Sequence, residues 1–326
     1  MNKSKIIATG KYSPELAVSN FDLEKVIDTN DEWIYSRTGI KERRISQNES
    51  TLDLTYKASL DAIKKNNIDL STIDLIIVAT TTPDYFIPST ASLLQSRLGL
   101  NDSHVTCFDI SAACTGLIYG IQIADKFIAS GSVRKALVVG AEIFSKVLDW
   151  EDRGTCVLFG DGAGAVILEQ SDKGILADYT NSSGDDNLSL TLPAVSLGSP
   201  FSLKELDCHS NNYLKMNGSE IFKFAAYAIK DSIDHILVKS NLTIEDIKYI
   251  VPHQANQRII AKVSKDMKIP LEKFYMNLEY YGNTSAASIG MALDDLYGED
   301  NLIEGDKILL IGFGGGLTWG SILFEY

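Results

Sequence analysis

Apolar residues recur along this chain in two patterns. One face of a helix is predicted by the spacing of Leu117, Ile118, Ile121, Ala124 and Ile128. The runs LIIVAT (75–80) and ALVVGA (136–141) are instead apolar throughout, which is typical of strands buried on both faces. Strands that alternate with helices in this way predict an α/β fold.

The alternation occurs twice. Four segments of the first half return in the same order in the second, two of them at one offset, and this order predicts an internal duplication. The pairs are 67–78 with 241–252, 111–114 (SAAC) with 285–288 (SAAS), 135–142 with 307–314, and 160–169 with 316–325.

We expect the two halves to span residues 1–172 and 173–326, each closing on a hairpin. The stretch TNSSGDDNLSL (180–190), rich in Ser, Asp, Asn and Gly, is expected to be an exposed loop. A pseudo-twofold axis would bring equivalent loops of the two halves together.

Composition is that of a soluble globular protein, with 45% hydrophobic and 22% charged residues among 326. The apolar run in MNKSKIIATG is too short for a signal peptide or anchor. Residues 308–324 are apolar but rich in glycine, which favours buried strands joined by a tight turn. We therefore expect a cytoplasmic protein without a membrane segment.

Charge and metal-ligand spacing narrow the function further. A formal charge of −13 disfavours nucleic-acid binding, which needs clustered Lys and Arg. No CxxC or HExxH spacing occurs, so we expect reduced thiols and no metal site. The residues concerned are Cys107, Cys114, Cys156 and Cys208, and His104, His209, His235 and His253.

Cys114 stands immediately before the predicted helix. A thiol there meets unpaired N–H groups and the positive end of the helix dipole, both of which favour thiolate. A small buried hydrophobe is the alternative interpretation.

The duplication is expected to bring Cys114 close to His253 in VPHQAN and Asn283 in YYGNTSAAS. Each of the latter also has an ordinary structural explanation, a core histidine and a turn or N-cap residue. Together the three supply a nucleophile and two hydrogen-bond donors, which acyl transfer through a thioester requires. The glycines of GFGGG (312–316) leave backbone N–H groups free to face an oxyanion, and the motif fits no nucleotide-binding pattern.

Six stretches closely resemble the signatures of beta-ketoacyl-acyl-carrier-protein synthase III, a family with the thiolase fold. They are DEWIYSRTGIKERR, DISAACTG, DRGTCVLFGDGAGA, PHQAN, GNTSAAS and GFGGGLTWGS, spread from residue 31 to 321. The resemblance implies a duplicated, five-layered αβαβα architecture.

It also implies a two-stage Claisen condensation that starts fatty-acid synthesis. A short acyl-CoA acylates Cys114, and malonyl-acyl-carrier protein (malonyl-ACP) then loses carbon dioxide and attacks the acyl-enzyme. His253 and Asn283 would donate to the malonyl thioester oxygen, and the N–H groups of Cys114 and Gly315 would form a second oxyanion hole. No cofactor beyond the CoA thioester is implied.

The resemblance further implies binding residues. Trp33, Arg37, Arg153, Gly218, Phe222 and Asn256 would hold CoA and its pantetheine. Arg258, Lys262, Lys265 and Lys268 share one helical face, a solvated stripe or a docking surface for acidic carrier protein. Ile87 would end the primer pocket, and the family is homodimeric, with the strand HVTCFDI suited to the interface.

Other functions remain open at this point. A ketosynthase III-like enzyme of specialised metabolism would share nearly every motif. The order Cys, His, Asn also occurs in papain-like hydrolases, although the duplication and the histidine in PHQAN count against that class. A catalytically silent partner subunit is disfavoured because all three residues are present.

Overall fold

A computed structural model describes residues 3–194, 212–299 and 301–326, so Cys208 and His209 lie outside the described residues. The strands are β1 (Lys3–Tyr12), β2 (Ala17–Ser19), β3 (Glu42–Arg44), β4 (Leu75–Ala79), β5 (Thr106–Ile110), β6 (Lys135–Glu142), β7 (Gly162–Ser171), β8 (Ile175–Ser182), β9 (Leu190–Thr191), β10 (Lys215–Met216), β11 (Ile247–Pro252), β12 (Lys307–Gly314) and β13 (Thr318–Glu325). The α-helices are α1 (Asn20–Leu23), α2 (Asp31–Thr38), α3 (Thr51–Lys65), α4 (Thr90–Arg97), α5 (Gly116–Ala129), α6 (Gly218–Ser240), α7 (Gln257–Met267), α8 (Leu278–Tyr281) and α9 (Ser288–Gly298).

Two sheets form the frame, and their strands follow the same sequence of parallel and antiparallel neighbours. The first runs β1-β7-β6-β4-β5, with β4 parallel to β5 and β6, and with β7 antiparallel to β1 and β6. The second runs β8-β13-β12-β11, with β11 parallel to β12 and with β13 antiparallel to β12 and β8. A single parallel bridge between Ile250 and Phe274 stands where the first sheet has β5. The repeated topology agrees with the predicted duplication.

Each sheet presents apolar side chains on both of its faces, and packing helices against these faces produces five layers. Successive residues of a buried strand face opposite sides, so Ile76 packs under α3 and α4 while Ile77 faces the centre of the molecule. Helices α5 and α9 fill the space between the sheets, and α6 and α7 cover the second sheet. The predicted apolar face, from Leu117 to Ile128, lies in this central layer and is buried.

The hairpin at the end of the chain is as predicted. Strands β12 and β13 pair antiparallel from Lys307 with Glu325 to Gly314 with Thr318. In the part of the chain that the structure describes, no helix combines the length and the hydropathy that a bilayer crossing would need.

The prediction of an exposed loop over residues 180–190 is partly wrong. Its beginning extends β8, and its end is the short strand β9, where Leu190 is half-buried against both cavities described below. Polar composition indicated a loop, but composition alone does not reveal that one apolar residue of a loop packs inward.

Candidate active site

Cys114 lies between the end of β5 and the start of α5, in the short 3₁₀ helix Ala113–Thr115. It is 5% exposed. Ala113 before it has a φ of 45°, in the left-handed region that costs a non-glycine residue energy, as often happens at functional sites. A Cβ at Gly314 would lie 2.8 Å from the Cys114 nitrogen, so only glycine lets β12 approach the nucleophile this closely.

The environment of the thiol is less polar than its place at a helix start predicts. Burial raises the pKa of Cys114 to about 12, and the nearby Glu142 carboxylate acts in the same direction. The Ser285 side chain and the backbone N–H of Cys114 lower the pKa but do not offset burial. The prediction of a lowered thiol pKa is therefore wrong for this buried thiol.

His253 follows β11 directly, as the duplication predicts. Its N–H donates to the carbonyl of Ile311 at 2.7 Å, and its ring meets the edge of Phe313 at 5.1 Å between centroids. Nδ1 lies 2.7 Å from the Ser288 hydroxyl. Burial lowers the pKa of His253 to about 3, so the imidazole is neutral at physiological pH.

Asn283 is fixed from three directions. Its N–H donates to Leu158 at 2.8 Å, and its carbonyl accepts from Gly160 at 3.0 Å. The side-chain oxygen accepts from the N–H of Ser285 at 2.9 Å. Because the oxygen is held in this way, the amide NH₂ is the end that can donate to a bound group.

All three residues line one cavity of about 360 Å³. Its apolar wall includes Leu190 and Phe224. Of the predicted binding residues, this cavity is lined by Trp33, Arg37, Gly218, Phe222, Asn256 and Arg258.

Trp33 and Arg37 share one face of α2, as their spacing predicts. The guanidinium carbon of Arg37 lies 4.7 Å from the Trp33 ring centroid, and that of Arg153 lies 5.1 Å from it. Arg153 does not line the cavity itself and donates to the carbonyl of Asp28 at 2.9 Å. Asn256 donates to the carbonyl of Arg37 at 3.0 Å, which ties α7 to α2.

A second cavity of about 380 Å³ is also lined by Cys114. It is lined by Gly315 and by side chains from several loops, among them Phe86, Phe144, Phe159, Leu190 and Leu192. Ile87 does not line it in the single chain and is 89% exposed.

Helix α7 carries Arg258, Lys262 and Lys265 on its exposed side, and Lys268 follows its last turn. Asp266 accepts from Lys262 at 3.1 Å and from Lys230 of α6 at 2.8 Å. The stripe is therefore partly neutralised at Lys262. Among the residues described, no group of three or more His, Cys, Asp or Glu is placed to hold a metal ion.

Comparison with known proteins decides the family. The family described as 3-oxoacyl-[acyl-carrier-protein (ACP)] synthase III matches residues 108–184, and its C-terminal counterpart matches residues 237–326. A beta-ketoacyl-[acyl-carrier-protein] synthase III of Clostridium novyi is 50% identical over 327 residues, which cover 100% of both chains. The chain belongs to the beta-ketoacyl-ACP synthase III family.

Solved structures of synthase III proteins agree. The enzyme of Aquifex aeolicus superposes with a TM-score of 0.91 at 43% identity, over 99% of this chain and 100% of that one. The priming beta-ketosynthase of the R1128 polyketide pathway superposes equally well, at 33% identity over 99% and 96% of the two chains. The predicted thiolase fold is confirmed. The chain is a condensing acyltransferase that joins an acyl-CoA to malonyl-ACP at the start of fatty-acid synthesis.

Sequence reasoning missed several residues around this synthase III site. Ser285 and Ser288 belong to SAAS, whose resemblance to SAAC pointed to the site without indicating that its hydroxyls reach Cys114 and His253. Glu142 ends a strand that reads as entirely structural. No local signal marks the apolar residues of the second cavity such as Phe144 and Leu192, because they come from segments far apart in sequence.

Proposed function

We propose that Cys114, His253 and Asn283 carry out the two stages of the condensation. Cys114 receives the acyl group from CoA, and the acyl-enzyme is attacked by the carbanion that malonyl-ACP forms when it loses carbon dioxide. The observation that supports this assignment best is that the three side chains, from separate loops of the two halves, line one cavity. The geometry supplies one nucleophile and two neutral donors to a common space.

In the first stage, CoA lies along the cavity from the surface to Cys114. The guanidinium groups of Arg37 and Arg153 both lie at the Trp33 ring, so an aromatic surface suited to adenine and two cations suited to phosphate occur together. Gly218, Phe222 and Asn256 line the path on which the pantetheine arm would run.

A tetrahedral intermediate forms when sulfur attacks the acyl carbonyl. The N–H groups of Cys114 and Gly315 are the proposed donors to its oxyanion. Gly314 and Gly315 carry no side chain, so the backbone lies against the nucleophile. Donors placed in advance where charge develops stabilise such an intermediate strongly.

In the second stage, His253 and Asn283 donate to the malonyl thioester oxygen. The electrons of the breaking bond to the carboxylate pass into the enolate, and its oxygen accumulates charge as carbon dioxide leaves. A neutral imidazole with its proton on Nε2 and the Asn283 amide NH₂ can both donate to this oxygen. The Ser288 hydroxyl at Nδ1 favours that tautomer when it donates to the ring.

Carrier protein docks on α7 in this proposal. Arg258 lines the cavity mouth, and Lys262 and Lys265 extend the positive surface away from it. An acidic partner would meet this surface although the whole chain carries a charge of −13. We propose that the reaction takes place in the cytoplasm. The proposed chemistry requires no cofactor beyond the CoA thioester.

We further propose a homodimer whose partner completes the primer pocket. Strand β5 is the edge of the first sheet, and its residues from Cys107 to Ile110 are only half-buried. Tyr85, Phe86 and Ile87 are 61%, 74% and 89% exposed, an apolar cluster that a second chain would cover. Ile87 would then reach the neighbour's primer pocket.

The two halves of each chain are assigned to residues 1–172 and 173–326, a boundary that falls between β7 and β8.

Intact-protein mass tests the proposal. Wild type and Cys114→Ser are incubated with a panel of acyl-CoAs, and malonyl-ACP is then added. We expect wild type to gain the mass of one acyl group and to discharge it as 3-oxoacyl-ACP, and the variant to gain nothing. Loading without discharge onto malonyl-ACP would favour an acyltransferase of specialised metabolism. Absence of loading from every acyl-CoA would contradict both.

A further inference from the structure

A buried carboxylate lies beside the candidate nucleophile and has no part in the chemistry described so far. Glu142 ends β6 and has no exposed surface. Its hydrogen bonds come from hydroxyl and amide groups. The donors to Oε1 are the Thr81 N–H at 3.1 Å, the Thr81 hydroxyl at 3.0 Å and the Ser285 hydroxyl at 3.5 Å, and those to Oε2 are the hydroxyls of Thr82 at 2.6 Å and Thr80 at 3.4 Å.

Ser285 connects this carboxylate to Cys114. Ser285 lines the second cavity together with Cys114, and its hydroxyl donates to Glu142 Oε1 at 3.5 Å. The residue is fully buried, and its φ of 50° is a left-handed conformation that a serine adopts only at a cost. Backbone strain of this kind persists where the surroundings enforce it, and here it places the hydroxyl between two ionisable groups.

Acylation needs a group that accepts the thiol proton. In the proposed second stage, His253 acts as a donor through Nε2, so it offers no free lone pair to the thiol. The N–H of Gln254 reaches the Ser288 oxygen at 3.4 Å, which leaves the Ser288 hydroxyl proton available for Nδ1 and supports this tautomer. The proton of Cys114 must therefore leave in another direction.

We propose that the Ser285 hydroxyl transfers the Cys114 proton to Glu142 during acylation. As the bond from sulfur to the acyl carbon forms, the S–H bond breaks, Ser285 takes that proton and gives its own to the carboxylate. As the bond to the CoA sulfur breaks, the proton returns through Ser285 to the departing thiolate. Both sulfurs are bonded to one carbon in the intermediate, so one hydroxyl can serve both, and Glu142 ends as it began.

The cost of burying a second negative charge supports this direction of proton transfer. A thiolate formed beside an ionised Glu142 would place two negative charges in a buried site, which is costly. When the proton passes from sulfur to carboxylate, the pair holds one negative charge throughout. Burial raises the pKa of Glu142 to about 7, which suits a group that both accepts and returns a proton near neutral pH.

The test separates the two stages, and it rests on the proposed role of Cys114. Acylation by acyl-CoA is followed by rapid quench and intact mass, and discharge is then measured by adding malonyl-ACP to fully loaded enzyme. Ser285→Ala and Glu142→Gln are each expected to slow acylation about 100-fold, the usual contribution of a proton acceptor. Discharge expels the Cys114 thiolate beside Glu142 and should slow as well. Release of carbon dioxide from malonyl-ACP on the loaded enzyme should stay within about threefold of wild type, since decarboxylation forms no thiolate at Cys114 and does not use the relay.

Two further variants distinguish a relay from a structural role. The double variant should acylate no more slowly than the slower single variant, because the two residues act in series. Thr82→Val removes a 2.6 Å hydrogen bond to the far oxygen of the same carboxylate but leaves the Ser285 path intact, so its acylation should stay near wild type. Glu142→Asp, which keeps the acid, should recover part of the rate.

Acylation of Ser285→Ala at the wild-type rate would overturn the relay, as would fully additive effects in the double variant or equal slowing by Thr82→Val. If Glu142→Gln does not fold, the Ser285→Ala result decides alone. Loss of the relay leaves wild-type loading on Cys114 intact, whereas failure of the proposed function would abolish it.

Discussion

The proposed second stage requires a neutral imidazole at His253, and burial keeps this side chain neutral. The side chain is 2% exposed, and its pKa falls from an ordinary value near 6.5 to about 3. Its partners are a serine hydroxyl and an aromatic edge rather than a carboxylate. Such a group binds a proton more weakly in the folded chain than in the unfolded chain, which ties stability to pH.

We predict that His253 makes the protein acid-sensitive. Between pH 6.5 and 3 the unfolded chain takes up a proton at this position and the folded chain does not, so stability is full above pH 6.5 and falls as pH drops. At pH 5 the loss is about 2 kcal/mol. Urea unfolding at pH 7.5 and 5 should therefore show a smaller pH difference for His253→Gln than for wild type, at fixed protein concentration. Equal pH differences would mean that His253 is protonated in the folded protein.

The pKa of the Cys114 thiol depends on residues that are distant in sequence. Position at a helix start makes Cys114 a candidate, because that position is visible in the sequence. Its raised pKa depends on burial between two sheets and on Glu142, which lies on a different strand. Neither effect is local, so the sequence could suggest a candidate nucleophile but not the protonation of its thiol.

At the level of elements, the site depends on close contacts between backbones. Strand β6 crosses the 3₁₀ helix Ser285–Ala287 at Gly140, where an added Cβ would lie 2.1 Å from the carbonyl oxygen of Ala286. Backbone atoms cannot move aside as the end of a flexible side chain can. Because Gly140 has no side chain, the segment that carries Ser285 and adjoins Asn283 can lie directly against β6.

We predict that Gly140→Ala displaces this segment. Overpacking of this kind typically costs about 1–3 kcal/mol, and here it should also reduce condensation strongly, since Asn283 and Ser285 move. Thermal unfolding and the rate of 3-oxoacyl-ACP formation measure the two effects. Gly298→Ala, at a helix end where an added Cβ meets nothing within 4 Å, is the control and should leave both unchanged.

Helix α7 gives a second prediction at this scale. Charge reversal in Lys262→Glu/Lys265→Glu should raise the KM for malonyl-ACP about tenfold and leave Cys114 acylation unchanged, because surface charges mainly affect encounter. The difference should shrink at high salt. Lys64→Glu, an exposed lysine on α3 of the opposite outer layer, is the matched control. An unchanged KM in the double variant would remove α7 as the docking surface.

For the whole molecule, the duplication made most of the architecture predictable. Matching segments such as 135–142 and 307–314 became β6 and β12, equivalent strands of two sheets with one topology. The same symmetry predicted that His253 would lie close to Cys114. The second cavity was less predictable than the first, because residues such as Phe144 and Leu192 reach it from segments whose paths depend on the assembled fold.

We predict that Ile87 contributes to assembly of the proposed dimer. If the apolar cluster of Tyr85, Phe86 and Ile87 is covered by a second chain, Ile87→Glu buries a charge in the interface and should shift sedimentation from dimer toward monomer. Val238→Glu, at an isolated site that is 83% exposed, should leave the sedimentation coefficient unchanged. The Ile87 variant should also change the ranking of acyl-CoA primers, since the proposed pocket is completed by the partner. A stable dimer with unaltered primer preference would place the interface elsewhere, and the second cavity would then be complete within one chain.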